Sequence, residues 1–487
     1  MGVAVKRTMR RFAVVHVLGV QLIWVGVASS VLAADPEGMP PETQPLGDVD
    51  DTIRRLSEVV AREPLDAPSH YILGLAYFKK GEMQRAAAAF DTVTRLTPED
   101  DDGYYALGLT LRRTGDLDGA VDALRKAGEL NDAAPEIVFD LGLTYLELGR
   151  SEKALSAFQR AIRMRPAFAA AHYNLGVAYE QEGRADDAII EYGATLRLDP
   201  SYTPALVNLG KAYADRGFVD KAIQTFKKAI QTNPREAGAY YNLGVVLQRR
   251  GELLQAAEAY KQAVTADPKQ AESYNNLGVV YDKLGDMPQT IVQFRAALQA
   301  KPDFIDAAFN LGLAYYKTGR FDEATTTFRD VLRLSPNHQE AQLHLGEIYY
   351  QRGRFSDALD AYKSALERHP EDVATHRKLG LAYMKDRRYA EAIDELKQVV
   401  AADGNDAATL MLLGDAYGAR KNWEQAVDAY ESALELEPEN ATARASLADA
   451  WLDYGFPRKA IEELDRAREL APEAPETWIG LGRLALR

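Results

Sequence analysis

The chain has 487 residues, 47% hydrophobic and 27% charged, enough to bury an extensive core and too apolar for a disordered polyelectrolyte. Its formal charge is −14; residues 1–34 carry Lys6, Arg7, Arg10 and Arg11 and no acid, leaving 54 basic against 72 acidic residues, or −18, in the remainder. So acidic a body repels a polyphosphate and argues against nucleic acid, while zero cysteines excludes disulfides, thiolate metal sites, a cysteine nucleophile and a lipidated cysteine.

The first element is a leader. A basic stretch, Lys6 to Arg11, precedes an apolar run from Phe12 to about Ala28, and small residues close the segment at Ser29-Ser30-Val31-Leu32-Ala33-Ala34. These are the three parts of a secretory signal, with Val31 and Ala33 where a signal peptidase reads and cleavage before Ala34. The 22 residues Phe12–Ala33 also suffice for an uncleaved anchor at about 20 residues per bilayer crossing. Under either reading of residues 1–33 the flanking positive charge stays in the cytoplasm and the rest is exported, which predicts a periplasmic or other extracytoplasmic location, released or anchored to the inner membrane. Residues 34–49, with Pro36, Pro40, Pro41 and Pro45 plus Gly38 and Gly47, read as an extended tether.

From Leu73-Gly74 onward, Leu-Gly returns every 34 residues, at glycines 74, 108, 142, 176, 210, 244, 278, 312, 346, 380, 414 and 482, with Ala448 filling one gap. With that glycine numbered 8, position 7 is leucine throughout, position 11 is mostly tyrosine, position 20 is alanine in eleven of twelve cases (Thr290 is the exception), position 24 is large and position 32 is usually proline. Positions 4, 7, 8 and 11 share one helical face, and 20, 24 and 27 share the next. Glycine at position 15 breaks the chain between the two helices, and proline at 32 stops the second. A glycine inside a helix costs roughly 1 kcal/mol relative to alanine, so a dozen of them require close helix approach in return.

This pattern resembles the tetratricopeptide repeat (TPR) family over residues 50–487, and the resemblance implies an all-α fold. The expected architecture is a right-handed superhelical TPR solenoid of antiparallel helix pairs, with about 12 full repeats plus a half repeat at each end. Residues 50–66 would form the amino-terminal capping half repeat. Twelve repeats would start at 67, 101, 135, 169, 203, 237, 271, 305, 339, 373, 407 and 441, with a final helix over 475–487. No single helix pair buries its apolar face, so neighbours stack into one continuous core.

The sequence offers no catalytic constellation. His70, His172 and His376 fall at position 4, a packing position, His338 and His369 fall in turns, and no metalloprotease, P-loop or dinucleotide motif is present. The expectation is a non-enzymatic chain with no catalytic, cofactor-binding or metal-binding residue. In TPR proteins positions 2, 5, 6, 9, 12 and 13 face a concave groove. Here position 6 reads Asn174, Asn208, Asn242, Asn276 and Asn310, resembling the asparagine ladders that grip extended peptide backbone, and Tyr71, Tyr105, Tyr173, Tyr241 and Phe309 at position 5 lie beside them. Those ten residues are the candidate partner-binding set; the bland readings are exposed repeat consensus for the asparagines and packing on the adjoining helix for the aromatic residues. A carboxylate clamp is disfavoured, because position 2 has no Lys or Arg and Arg377 is the sole basic residue at position 5.

The resulting expectation is a protein–protein interaction scaffold of the cell envelope that holds proteins or peptides in the groove. The alternatives are an assembly factor for an envelope or secretion machine (polysaccharide export, pilus, outer-membrane biogenesis) using outer faces and ends, or an accessory substrate-binding region of a glycosyltransferase system. Trp478, Ile479, Leu481, Leu484 and Leu486 crowd the last helix and predict self-association there; membrane contact is expected only through an uncleaved anchor.

Overall fold

The computed structural model describes residues 48–486 except 403 and 405; the leader (1–33) and the tether up to residue 47 lie outside the described residues. Among the described residues there are 26 α-helices and no strand. A helix over Val49–Arg62, N-capped by the Asp48 carboxylate, is followed by twelve antiparallel helix pairs and a last helix, Pro475–Ala485. The first helices of the pairs begin at Ala67, Asp101, Pro135, Ala169, Thr203, Ala237, Ala271, Ile305, Gln339, Val373, Ala407 and Ala441. The chain forms two compact units, one up to Asp267 and one from Pro268, and each is a stack of such pairs. The fold is an all-α solenoid.

The contact that builds each pair is between position 8 and position 24. A Cβ placed on any of the eleven glycines from Gly74 to Gly414 would lie 2.5–2.9 Å from the position-24 side chain of the same repeat, as in Gly210 against Phe226 (2.6 Å) and Gly346 against Tyr362 (2.5 Å). Real Cβ atoms do not approach that closely, so in these eleven repeats glycine lets the second helix settle on the first; the twelfth has Ala448 there and still buries Leu464. In exchange, all twelve position-24 side chains from Phe90 to Leu464 are at most 5% exposed. Burying one such ring contributes about 2 kcal/mol, more than the roughly 1 kcal/mol a helical glycine costs. The position-20 alanines are completely covered from Ala86 to Ala460, and Thr290 fits among them because its hydroxyl donates to the Asp286 carbonyl at 2.9 Å.

Each hairpin turns through position 15 in the left-handed region. Gly81 (φ 85°) donates to the Phe78 carbonyl and Glu82 to the Tyr77 carbonyl at 2.9 Å, which closes the helix end as a Schellman cap. Two repeats break this rule: Arg387 and Lys421 occupy the same turn at φ 60° with a side chain attached. A second hairpin feature has no counterpart in the sequence expectation. A cation from position 16 or 19 covers the position-11 ring, as with Arg184 over Tyr179 (4.3 Å), Arg354 over Tyr349 (4.6 Å) and Lys221 over Tyr213 (5.5 Å).

Two opposite responses to glycine chemistry are expected. Gly210→Ala lowers the unfolding free energy by about 1–3 kcal/mol through overpacking against Phe226, although alanine is the better helix former. Arg387→Gly raises it by about 0.5–1 kcal/mol, because relief of left-handed strain exceeds the added chain entropy. Equilibrium unfolding of both variants checks the signs.

Candidate partner-binding face

Within each unit, successive first helices lie against one another, so positions 5, 6, 9, 12 and 13 of one repeat meet those of the next. Two offsets recur. Thirty-five residues separate Tyr105 from Asp140 (2.7 Å), Asn208 from Tyr173 (3.2 Å), Asn310 from Asn275 (3.1 Å) and Gln351 from Tyr316 (3.1 Å). Thirty-one separate Lys211 from Glu180 (2.6 Å), and Lys378 bonds Glu347 at the same spacing. The offsets differ by four because one side chain sits between two neighbours one helical turn apart on the adjoining helix.

This lattice changes the reading of the asparagine row. Asn174 is buried and its amide donates back to the Ala170 carbonyl of its own helix at 2.9 Å. Asn208, Asn242, Asn276 and Asn310 are half-buried. Asn208 donates to the Tyr173 hydroxyl, Asn275 to the Asn276 carbonyl oxygen at 3.4 Å and Asn310 to the Asn275 oxygen. Asn208 and Asn310 therefore brace neighbouring repeats, while Asn174 bonds within its own helix.

The aromatic candidates lie deeper, and three of the five take the packing alternative. Tyr105, Tyr173 and Tyr241 are 6%, 3% and 3% exposed and belong to the core. The partner is the side chain at position 24: Leu124 for Tyr105, and a ring for the others, Tyr173 with Tyr192 (5.9 Å), Tyr241 with Tyr260 (5.9 Å), and likewise the half-buried Tyr71 with Phe90 (5.6 Å) and Phe309 with Phe328 (5.8 Å). The position-24 ring, pinned on its glycine, offers its other flank to position 5, and aromatic pairing fills it. Tyr105, Tyr173 and Tyr241 thus belong to the packing of the repeats, while Tyr71 and Phe309 make the same ring contact and stay half-buried.

Polar groups that composition did not single out converge instead. In the first unit Tyr192 donates to Glu180 (2.9 Å), Lys211 pairs with the same carboxylate, and Asp215 nearby is raised by burial despite Lys211 and Arg249. In the second, His344 stacks on Phe328 (5.6 Å) and contacts Glu347 (3.1 Å). Burial works against the Glu347 carboxylate, yet His344 and Lys378 hold its pKa at about 2. The sequence signal for such pairs is opposite charge at a spacing of 31, visible only once the repeat register is known. Among the described residues no group of three His, Asp or Glu side chains is placed to hold a metal ion.

Tetratricopeptide-repeat profiles match residues 46–101, 84–135, 139–203, 207–271, 246–303, 275–338, 309–365 and 343–407, and a further one matches 417–484. The chain belongs to the tetratricopeptide repeat family. It is accordingly a protein–protein interaction scaffold, and TPR proteins take proteins or peptides as partners. No curated protein matches the chain. Among solved structures it is similar to the crystal structure of MamA (33% identity over 33% of this chain and 95% of that one, TM-score 0.32). It is also similar to YrrB, described as a TPR protein with an unusual peptide-binding site (23% identity, 38% and 96% coverage, TM-score 0.34), and to PilF of Pseudomonas aeruginosa (18%, 44% and 97%, TM-score 0.36).

The TPR position-4 residues, expected to pack, carry a polar duty. His70, His172, Gln342, His376, Arg444 and Trp478 each place a nitrogen 2.7–3.2 Å from the carbonyl of the proline six residues earlier, the position-32 residue that closes the preceding repeat. In His172 and His376 the second nitrogen lies 2.6 Å from Glu191 and Glu395. Both ring nitrogens thus face acceptors, which only the doubly protonated imidazolium satisfies. The Glu191 bond raises His172; at His376 burial pulls down but the Pro370 carbonyl and Glu395 carry the net shift upward.

A pH dependence follows from these two histidines. Their folded values lie above the ordinary 6.5, so their contribution is complete below pH 6.5 and disappears as pH rises through the raised values. Thermal unfolding should show a falling midpoint across that window, and the H172Q/H376Q double variant should lose this slope.

Proposed function

We propose that the first-helix face of each unit receives an extended segment of a partner protein, and that it does so outside the cytoplasm. The supporting observation is the unequal use of the asparagine amides. Asn208 and Asn310 spend their N–H groups on neighbouring repeats, and their carbonyl oxygens accept nothing among the described residues. The Asn242 amide, half-buried on the same face of the first unit, makes no hydrogen bond among the described residues. An extended backbone supplies the N–H donors that such a row of oriented oxygens accepts. The extracytoplasmic setting rests on the basic stretch Lys6–Arg11 followed by the apolar run from Phe12.

A second reading, assembly through outer faces, is favoured by Ile190 and Leu254, which stand 60% and 75% exposed on second helices. Photo-crosslinking in the native compartment separates the two. A crosslinker replacing Asn242 should capture partner protein and one replacing Ile190 should not, and Asn208→Ala with Asn242→Ala should weaken capture at a third first-helix site at least tenfold. Capture confined to Ile190 would replace groove binding with outer-face assembly. Recovery of the chain in the cytoplasmic fraction would overturn the exported setting alone.

A further inference from the structure

In each repeat the two helices meet at a hairpin turn, and within a unit the turns of successive repeats lie within side-chain reach of one another. A recurring ion pair marks that reach. A position-14 arginine bonds the position-18 aspartate of the preceding repeat: Arg216 with Asp186 (3.0 Å), Arg250 with Asp220 (3.0 Å) and Arg352 with Asp322 (2.5 Å). The scheme breaks down in the tenth to twelfth repeats, all in the second unit. Arg420 holds position 14 of the eleventh, but Ala390 stands where its aspartate would be, and Arg458 occupies position 18 of the twelfth. The turn residue changes in the same place. Position 15 is a glycine at positive φ in ten repeats, and in the other two it is Arg387 and Lys421, both at φ 60°. Asparagine or aspartate is the ordinary non-glycine occupant of that conformation, because a short polar side chain bonds locally; a long cation gains no such bond. The helix dipole does not account for the two cations either. Lys79 and Lys80, or Arg112 and Arg113, serve the last turn of a first helix that keeps its glycine.

Arg387, Arg420, Lys421 and Arg458 are exposed and make no ion pair among the described residues. At the twelfth turn Tyr454 and Phe456 are 40% and 46% exposed, with their rings edge to face at 5.1 Å. On a body that carries −18, this edge is an exception in charge and in polarity together. We propose that the turn edge of the tenth to twelfth repeats docks an acidic segment of a partner protein. Its carboxylates lie against Arg387, Arg420, Lys421 and Arg458, and an apolar side chain rests on Tyr454 and Phe456. A single strand of partner chain fits this edge better than an anionic bilayer does. Asp386, Glu391 and Glu424 border the cations, Glu391 already held by Arg388 at 2.8 Å. A plane of headgroups would meet those acids and the acidic body as well, whereas one strand touches the cations alone. The site lies on the turns and acts independently of whatever the first-helix face binds.

The test is fluorescence anisotropy of the whole chain with a dye-labelled decapeptide of glutamates around one phenylalanine, and with the same peptide carrying glutamine for each glutamate. The glutamate peptide should bind, the glutamine peptide should not, and added salt should weaken the complex. Arg387→Gly with Lys421→Gly restores the turn that ten repeats use. Stability should therefore hold or rise while affinity falls about tenfold, the scale of two exposed charges. Lys227→Ala with Lys228→Ala removes equal charge from an exposed stretch of a second helix in the first unit and should leave binding unchanged. So should Asn208→Ala with Asn242→Ala on the first-helix face. A glutamate peptide that does not bind, a glutamine peptide that binds equally, or an affinity untouched by the two glycine substitutions would overturn the proposal. Flotation with phosphatidylglycerol vesicles that those substitutions abolish, with no peptide bound, would overturn it in favour of a membrane contact.

Discussion

In eleven of the twelve full repeats this fold depends on the absence of a methyl group at position 8. Because Gly74, Gly210 and their equivalents have no Cβ, the position-24 ring lies directly on the first-helix backbone and is sealed there. That placement fixes the distance between paired helices, and hence where position 5 finds its aromatic contact and where position 11 is left to a covering cation. The interaction is local to one repeat, so it can be copied along a chain without reference to distant residues. Stability then accumulates pair by pair from nearest neighbours rather than from one central core.

Much of this was legible in the sequence because steric exclusion and periodicity leave one-dimensional marks. A glycine that recurs inside a helical pattern announces close approach, and large residues sixteen positions later name the partner, as Gly176 names Tyr192. The alanines at position 20 and the turn glycines are read in the same way. What was not legible is the direction in which amphipathic side chains spend their polar ends. Tyr105 and Tyr173 look like surface aromatics in a strip of sequence, and only three-dimensional placement shows the ring in the core with the hydroxyl bonded to Asp140 or Asn208.

The asparagine row illustrates the same limit more finely. Position along the repeat placed Asn208 and Asn310 on the first-helix face, where they are found half-buried. Sequence could not show that each amide is used unequally, its nitrogen bracing the preceding repeat and its oxygen accepting no hydrogen bond among the described residues. His172 and His376 carry the opposite lesson. Counted as packing residues, they are imidazoles held between a proline carbonyl and a glutamate, joining the end of one repeat to both helices of the next.

The paired offsets of 31 and 35 residues also explain why the repeat length never drifts. One extra residue within a first helix would rotate every later side chain in it by about 100°. The tooth-and-gap alignment of Lys211 with Glu180, or of Asn310 with Asn275, would then slip by more than a quarter turn while the glycine notch rotated away from its ring. Each unit thus works as a phase-locked gear train: length changes are absorbed between repeats or not at all, and the spacing of any groups a unit presents along its first-helix face is as regular as the teeth.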